Sequence, residues 1–185
     1  MKKFLSVSAL GLLSFLIVGC GGNDTSKEKV DSTKTEASSE IKDSAKEKGT
    51  DTFKDNILTT KDYTIKITGH EYLEGYQDST VLAITFDFTN HSQENVQAYS
   101  SFLYSFKVSQ EFENTVEELN MGIIADHEKF TEETSQGVVD VKPNGTVHSV
   151  SNYEVKDPSK PVDISVKANM FSDKVLGEFK FDPAQ

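Results

Sequence analysis

The stretch Val81-Leu82-Ala83-Ile84-Thr85-Phe86-Asp87-Phe88-Thr89 carries the strongest pattern in the chain. Leu82, Ile84, Phe86 and Phe88 recur at every second position, with Thr85, Asp87 and Thr89 between them. A period of two places the large apolar side chains on one face of a strand and the polar ones on the other. Upstream, Tyr63, Ile65 and Ile67 alternate with Thr64, Lys66 and Thr68, which predicts a second half-buried strand. Gly69 to Asp78, containing Tyr72, Leu73 and Tyr76, reads as the connection between the two. Downstream, Asn90-His91-Ser92-Gln93-Glu94-Asn95 supplies turn chemistry. Val96 to Tyr99 is then expected to return antiparallel, followed by a strand from Leu103 to Val108 in which Tyr104, Phe106 and Val108 alternate with Ser105 and Lys107.

Residues 110 to 136 are acidic, with Glu111, Glu113, Glu117, Glu118, Asp126, Glu128, Glu132 and Glu133 against Lys129. Phe112, Val116, Leu119, Met121, Ile123, Ile124 and Phe130 predict short strands or a short helix touching the core. A strand is expected at Gly137 to Val141, a turn at Pro143-Asn144-Gly145, and a strand from Thr146 to Val155. Lys156 to Pro161 reads as a loop, Val162, Ile164 and Val166 as a strand, and Leu176, Phe179 and Phe181 as a closing strand. Turn-separated short strands of this number, about seven to eight, predict an all-β fold, an immunoglobulin-like antiparallel β-sandwich.

The strand ending in Thr85-Phe86-Asp87-Phe88-Thr89-Asn90-His91-Ser92, the aromatic stretch after it, and Val141-Lys142-Pro143-Asn144-Gly145-Thr146-Val147 resemble recurring features of a lipoprotein domain family of unknown function from low-GC Gram-positive bacteria. The resemblance covers residues 55 to 182 and implies an immunoglobulin-like sandwich similar to that of a secreted mycobacterial immunogenic antigen. The family usually has Pro-Gly where this chain has Pro143-Asn144-Gly145, a departure expected to change turn detail alone. It brings no known activity.

The N-terminus carries an address. Lys2 and Lys3 precede an apolar run from Phe4 to Val18, and Gly19 precedes Cys20, the only cysteine. A basic start, a short apolar core and a small residue at the cut describe a signal peptide. The cysteine at the cut makes it resemble a bacterial lipoprotein signal, which implies cleavage between Gly19 and Cys20 and a diacylglycerol on Cys20. Residues 1–19 are thus expected to be a lipoprotein signal peptide, 20–52 a lipidated cysteine and flexible polar linker, and 53–185 the sandwich domain. Between Gly21 and Thr52 the only apolar residues are Val30, Ala37, Ile41 and Ala45, too few to offset the entropy of ordering. As a flexible coil the linker would span roughly 30 Å. The expected place is the outer face of the cytoplasmic membrane of a Gram-positive bacterium, lipid-anchored and reaching into the wall.

Composition excludes one class of partner. The chain of 185 residues has a formal net charge of -11, and all its basic residues are lysine. Losing Lys2 and Lys3 with the signal takes the charge from -11 to -13. Nucleic acid is the wrong partner for that sign, and arginine's planar fork is missing. A partner is expected to be neutral or cationic, with the acidic stretch steering a cationic one.

Catalytic and metal patterns are weak. His70, His91, His127 and His148 lie apart, none with a second histidine at metal-ligand spacing. His127, between Asp126 and Glu128, is the best single candidate, weighed against an exposed loop histidine. Nucleophile-elbow, zinc-hydrolase and phosphate-loop motifs are absent, and Ser39-Glu40-Ile41-Lys42 falls in the linker. Asn90-His91-Ser92 and Asn144-Gly145-Thr146 match a glycosylation pattern and read better as turns. The acidic stretch lacks the ligand spacing of a calcium loop. Tyr72, Tyr76, Tyr99 and Tyr153 are candidates for a binding surface or, at alternating spacing, for core and sheet faces. No enzyme activity and no cofactor are expected. The leading expectation is a non-enzymatic binding module outside the cell; the alternatives are an envelope-maintenance lipoprotein or an accessory subunit of a transporter or enzyme.

Overall fold

The computed structural model describes residues 50–183. The signal segment, Gly19, Cys20, Ser39 and nearly all of the expected linker lie outside these residues.

Two antiparallel sheets face each other as an immunoglobulin-like sandwich. The first has the order β1 (Thr52–Lys54), β2 (Ile57–Thr59), β3 (Tyr63–Glu74), β4 (Thr80–Asn90), β9 (Thr146–Val155). The second has the order β11 (Val175–Phe181), β10 (Val162–Lys167), β6 (Phe106–Glu111), β7 (Val116–Glu118). A separate ribbon pairs β5 (Val96–Gln97) with β8 (Asp140–Val141). The sheets therefore hold five and four strands, more than expected, because the short hairpin β1–β2 and the two-residue ribbon strands carry too few residues to show a period.

The central strand behaves as its pattern dictates. Leu82, Ile84, Phe86 and Phe88 are fully buried in the main core, with Ile65 from the neighbouring β3 and Val108, Val162 and Ile164 from the facing sheet. The other face of β4 departs from the simple alternation: Val81 and Ala83 are equally buried, in a second small core with Ile124 and Val150. The acidic stretch supplies that cover through Ile124, while its Leu119 joins the main core.

Three stretches differ from expectation. Gly69–Glu74 is the second half of β3, not a connection: the register passes from Ile67↔Phe86 to Gly69↔Thr85, so Thr68 is an extra, unpaired residue. Such a bulge shifts the alternation by one, which moves Tyr72 onto the face that Ile65 and Ile67 occupy before it. Second, Ala98–Ser105 is a helix, α1, and β5 pairs with β8 instead of with β4. Ala98, Ser101, Phe102 and Ser105 are its buried residues, a helical spacing, and Phe102 stacks on Phe86 and Phe106 at 4.5 and 4.4 Å. Third, Thr131–Val138 forms a second helix, α2, leaving two residues of the expected Gly137–Val141 strand as β8. Gly137 lets α2 pack closely on β9: a Cβ would lie 2.4 Å from Ser149 Oγ, which donates to the Glu133 carbonyl.

Two buried amides hold the loops. Asn90 donates to the carbonyls of Glu94 (2.7 Å) and Val141 (2.8 Å) while its Oδ1 accepts from the Ser92 N–H and hydroxyl. Gln110 accepts from the N–H groups of Lys156 and Asp157 and donates to the carbonyls of Asp157 and Lys160, fixing the β9–β10 loop.

The registers define two ends. Thr52 pairs with Thr59, Thr59 with Thr64, and Tyr63 with Asn90, so the chain joins the sandwich at the end holding the turn at Pro143-Asn144-Gly145. The opposite, far end is set by Glu74↔Thr80 and Thr80↔Val155.

Candidate functional site

The far end is built from the β3–β4 hairpin and the segment 120–125 laid against it. The hairpin closes through Gly75 N–H to Ser79 C=O at 2.7 Å. Gln77 and Asp78 both take positive φ, 58° and 60°, which non-glycine residues adopt at a cost. Gly75 is needed at its neck, since a Cβ would lie 2.3 Å from Ser79 Oγ and 2.6 Å from Val81 Cγ2. Segment 120–125 bridges β9 and β3: Gly122 N–H donates to Asn152, Glu154 N–H to Asn120, Tyr76 N–H to Ile123 and Ala125 N–H to Glu74. Extended backbone alternates, so Gly122 and Ile124 point inward while Met121 and Ile123 point out.

The result is an apolar surface. Tyr76 is 61% exposed, Met121 68% and Ile123 55%. With Gln77, Ser79 and Glu154 they line one shallow depression of about 180 Å³. Glu74, Asp78 and Glu154 are exposed around it, and none of them forms an ion pair among the described residues. An apolar centre with a carboxylate rim has the layout of a protein-binding surface: desolvated anchors inside, solvated charge outside.

A larger groove, of about 550 Å³, runs over the outer face of the second sheet. Ser109 and Ser165 form its floor, with Lys107, Glu111, Asp163, Glu178 and Lys180 at its sides. Its two lysines are paired, while Glu111 and Glu178 form no ion pair among the described residues. Lys180 contacts Asp163 at 2.7 Å and Lys107 contacts Glu118 at 3.8 Å; the Asp163 carboxylate holds the Lys180 amine above its ordinary pKa. The lining serines have no histidine beside them, so the groove offers no activated nucleophile.

The histidines remain apart. His127 is an exposed loop residue. His148 Nδ1 lies 2.7 Å from Asp87 Oδ1, and His91 Nε2 lies 2.8 Å from Thr64 Oγ1, both on exposed faces. His70 stacks on Phe181 at 3.9 Å; burial pulls its pKa below the ordinary value, against the opposing pull of Asp182. Among the described residues no hydroxyl donates to His148 Nε2, and no three metal-ligating side chains converge. No helix among them is long and apolar enough to cross a membrane. Of the four candidate tyrosines, Tyr72, Tyr76, Tyr99 and Tyr153, Tyr76 alone is exposed: Tyr153 is buried, which drives its hydroxyl pKa up, and the Tyr72 hydroxyl donates to Asp182 C=O at 2.8 Å. The Asn90 amide is fully buried with its bonds used, so it is a turn device and no glycosylation site. Met121 and Ile123, read as core contacts, are the residues that sequence reasoning missed; the alternation Met121–Gly122–Ile123–Ile124 was the available signal.

The sequence profile of a family described as Domain of unknown function (DUF5067) matches residues 33–168. The chain belongs to the DUF5067 family. The match begins within the stretch expected to be linker and stops before β11. Two solved structures share the DUF5067 protein's fold. A candidate lipoprotein from Staphylococcus aureus subsp. aureus NCTC 8325 is 16% identical, with a TM-score of 0.64 over 72% of this chain and 92% of that one. An Enterococcus faecalis protein solved by NMR is 18% identical, with a TM-score of 0.61 over 71% of this chain and 92% of that one. No curated protein matches the DUF5067 chain.

Proposed function

We propose that this DUF5067 protein is a non-enzymatic binding module, anchored by an acylated Cys20 to the outer face of the cytoplasmic membrane of a Gram-positive bacterium. The observation that carries the reading is the apolar patch of Tyr76, Met121 and Ile123 at the end opposite Thr52. A tether leaving from Thr52 lets that patch face away from the bilayer. The lipoprotein description of the Staphylococcus aureus neighbour and the basic-apolar-Gly19-Cys20 segment support the anchoring. The Gram-positive placement and the likeness to a secreted mycobacterial antigen rest on the motifs around Phe86 and Pro143-Asn144-Gly145 and belong to the same proposal. The partner is a protein with an apolar centre and a basic rim, complementary to Glu74, Asp78 and Glu154.

Capture from intact cells tests it. The intact chain should retain a surface protein that the double variant Tyr76→Ser, Ile123→Ser loses, with unchanged melting temperature because both side chains are exposed. Equal capture by both chains would contradict the patch as the site.

A further inference from the structure

The turn between β10 and β11 leaves apolar side chains largely uncovered. Phe171 is 86% exposed, Met170 56% and Val175 43%. The turn is nevertheless ordered. Asn169 Oδ1 accepts from the Phe171 N–H at 2.9 Å, and Ser172 N–H donates to the Asn169 carbonyl at 3.2 Å. These bonds put Met170 and Phe171 at the two corner positions of a β-turn. Glycine, asparagine, aspartate and serine ordinarily take turn positions, since they tolerate positive φ or bond their own backbone, and neither advantage belongs to methionine or phenylalanine.

The location of the turn identifies what covers it. Tyr63 donates its hydroxyl to the Ala168 carbonyl at 2.7 Å, which fixes the turn beside the start of β3. Tyr63 neighbours Thr64, and Thr64 pairs with Thr59, which pairs with Thr52. The chain segment running back to Cys20 therefore leaves the sandwich from the same end that carries Met170 and Phe171. Lys167 and Lys174 flank the turn, with Asp173 within it and Asp51 and Asp62 beside Tyr63. An apolar tip between lysines suits a bilayer interface: the tip enters the headgroup boundary and the ammonium groups reach phosphate.

We propose that the Met170–Phe171 turn docks on the lipid bilayer, as a second, non-covalent contact beside the anchor. The proposal rests on the anchored reading in one respect: the tether brings the bilayer within reach. A tethered contact is intramolecular and acts at millimolar effective concentration, so a weak lipid affinity suffices. Docking there sets the sandwich upright and turns Tyr76, Met121 and Ile123 away from the membrane.

The experiment uses the chain from residue 20 onward with Cys20→Ser, so that no acyl group is present, and vesicles of phosphatidylethanolamine and phosphatidylglycerol at millimolar lipid, which matches the effective concentration of the tethered contact. This chain should float with the vesicles, and adding Met170→Ser and Phe171→Ser should reduce the floated fraction about tenfold, as binding follows buried apolar area. Because Cys20 is the only cysteine, Ser172→Cys or Glu113→Cys in the same background carries a single thiol for an environment-sensitive dye. Vesicles should shift the dye to the blue at 172 and leave it unchanged at 113, which lies between β6 and β7 at the far end. Equal flotation with and without Met170 and Phe171, flotation of neither chain, or a shift at 113 in place of 172 overturns the proposal. So does self-association that Phe171→Ser abolishes without any vesicle binding, which would assign the turn to a second copy. Lipidation is read separately, by the mass of the Cys20 peptide from native membranes, so its failure and the failure of docking give different results.

Discussion

Replacing Phe86 with alanine tests the register on which every face assignment depends. Phe86 is fully buried, opposite Ile67 on one side and Ser149 on the other, with its ring stacked on Phe102. Removing a buried phenylalanine ring costs about 3–5 kcal/mol through lost transfer energy and an unfilled cavity. The Phe86–Phe102–Phe106 stack spans the sheets through α1, so the cavity opens where neighbours are least free to close it. A domain of this size has about 5–15 kcal/mol in total, and a urea slope of about 1–3 kcal/mol per molar. Phe86→Ala should therefore lower the urea midpoint by about 2 M. Thr85→Ala, on the partly exposed face, loses a hydroxyl contact to Thr68 and should cost under about 0.5 kcal/mol. Equal midpoint shifts for the two variants would refute the assignment of faces.

Other outcomes follow from the same geometry. Asn90→Ala removes a buried amide whose donors satisfy the Glu94 and Val141 carbonyls and should cost about 2–3 kcal/mol, measured by thermal or urea unfolding. His70 binds its proton less readily folded than unfolded, so stability should hold above its ordinary pKa of 6.5 and fall as the pH drops below it. His70→Gln should flatten that slope in melting temperatures taken across pH. Cys20→Ala should abolish lipidation and normal processing, and an unmodified Cys20 on the native membrane protein, seen by mass spectrometry, would refute anchoring. Replacing Glu111, Glu113, Glu117 and Glu118 with glutamine should raise retention of the unlipidated chain on purified anionic cell wall at low salt, with the difference shrinking at high salt. Glu117 already pairs with Lys156 and Glu118 with Lys107, so the variant also frees two lysines, which adds to retention.

Strands were legible in the sequence where one face meets core and the other meets water for several residues without interruption. β10 and the second half of β4 meet that condition; the first half of β4 and the middle of β9 are buried on both faces, and their limits were readable from the flanking turns. β3 was readable to Thr68 and opaque beyond it, because one unpaired residue reverses the phase. α1 was misread because Tyr104, Phe106 and Val108 alternate by coincidence across a helix–strand junction; Tyr104 is half exposed on α1 while Phe106 and Val108 are buried on β6. The hairpin β1–β2 left one trace, Asp55-Asn56, both at positive φ as a two-residue hairpin turn demands.

The far-end patch was legible only in part, for a physical reason. Exposed Met121 and Ile123 have the same composition as buried residues, and apolar type alone cannot say which face of a short extended segment meets water. Gly122 decides it: its Cα lies against Glu154 N and the Tyr153 carbonyl carbon, where a Cβ would sit at 2.8 and 2.9 Å. That close approach forces the residues on either side outward. Sequence shows the glycine but not the strand it leans on.

Site-specific photo-crosslinking on intact cells tests the central claim most directly. A photoreactive residue at Met121 of the full-length chain lies inside the proposed docking surface, and one at Lys66, exposed on β3, lies outside it. The account predicts one discrete adduct from position 121, absent from position 66 and lost when Tyr76→Ser and Ile123→Ser are added. Adducts of equal yield at 121 and 66, or none at 121, would contradict it.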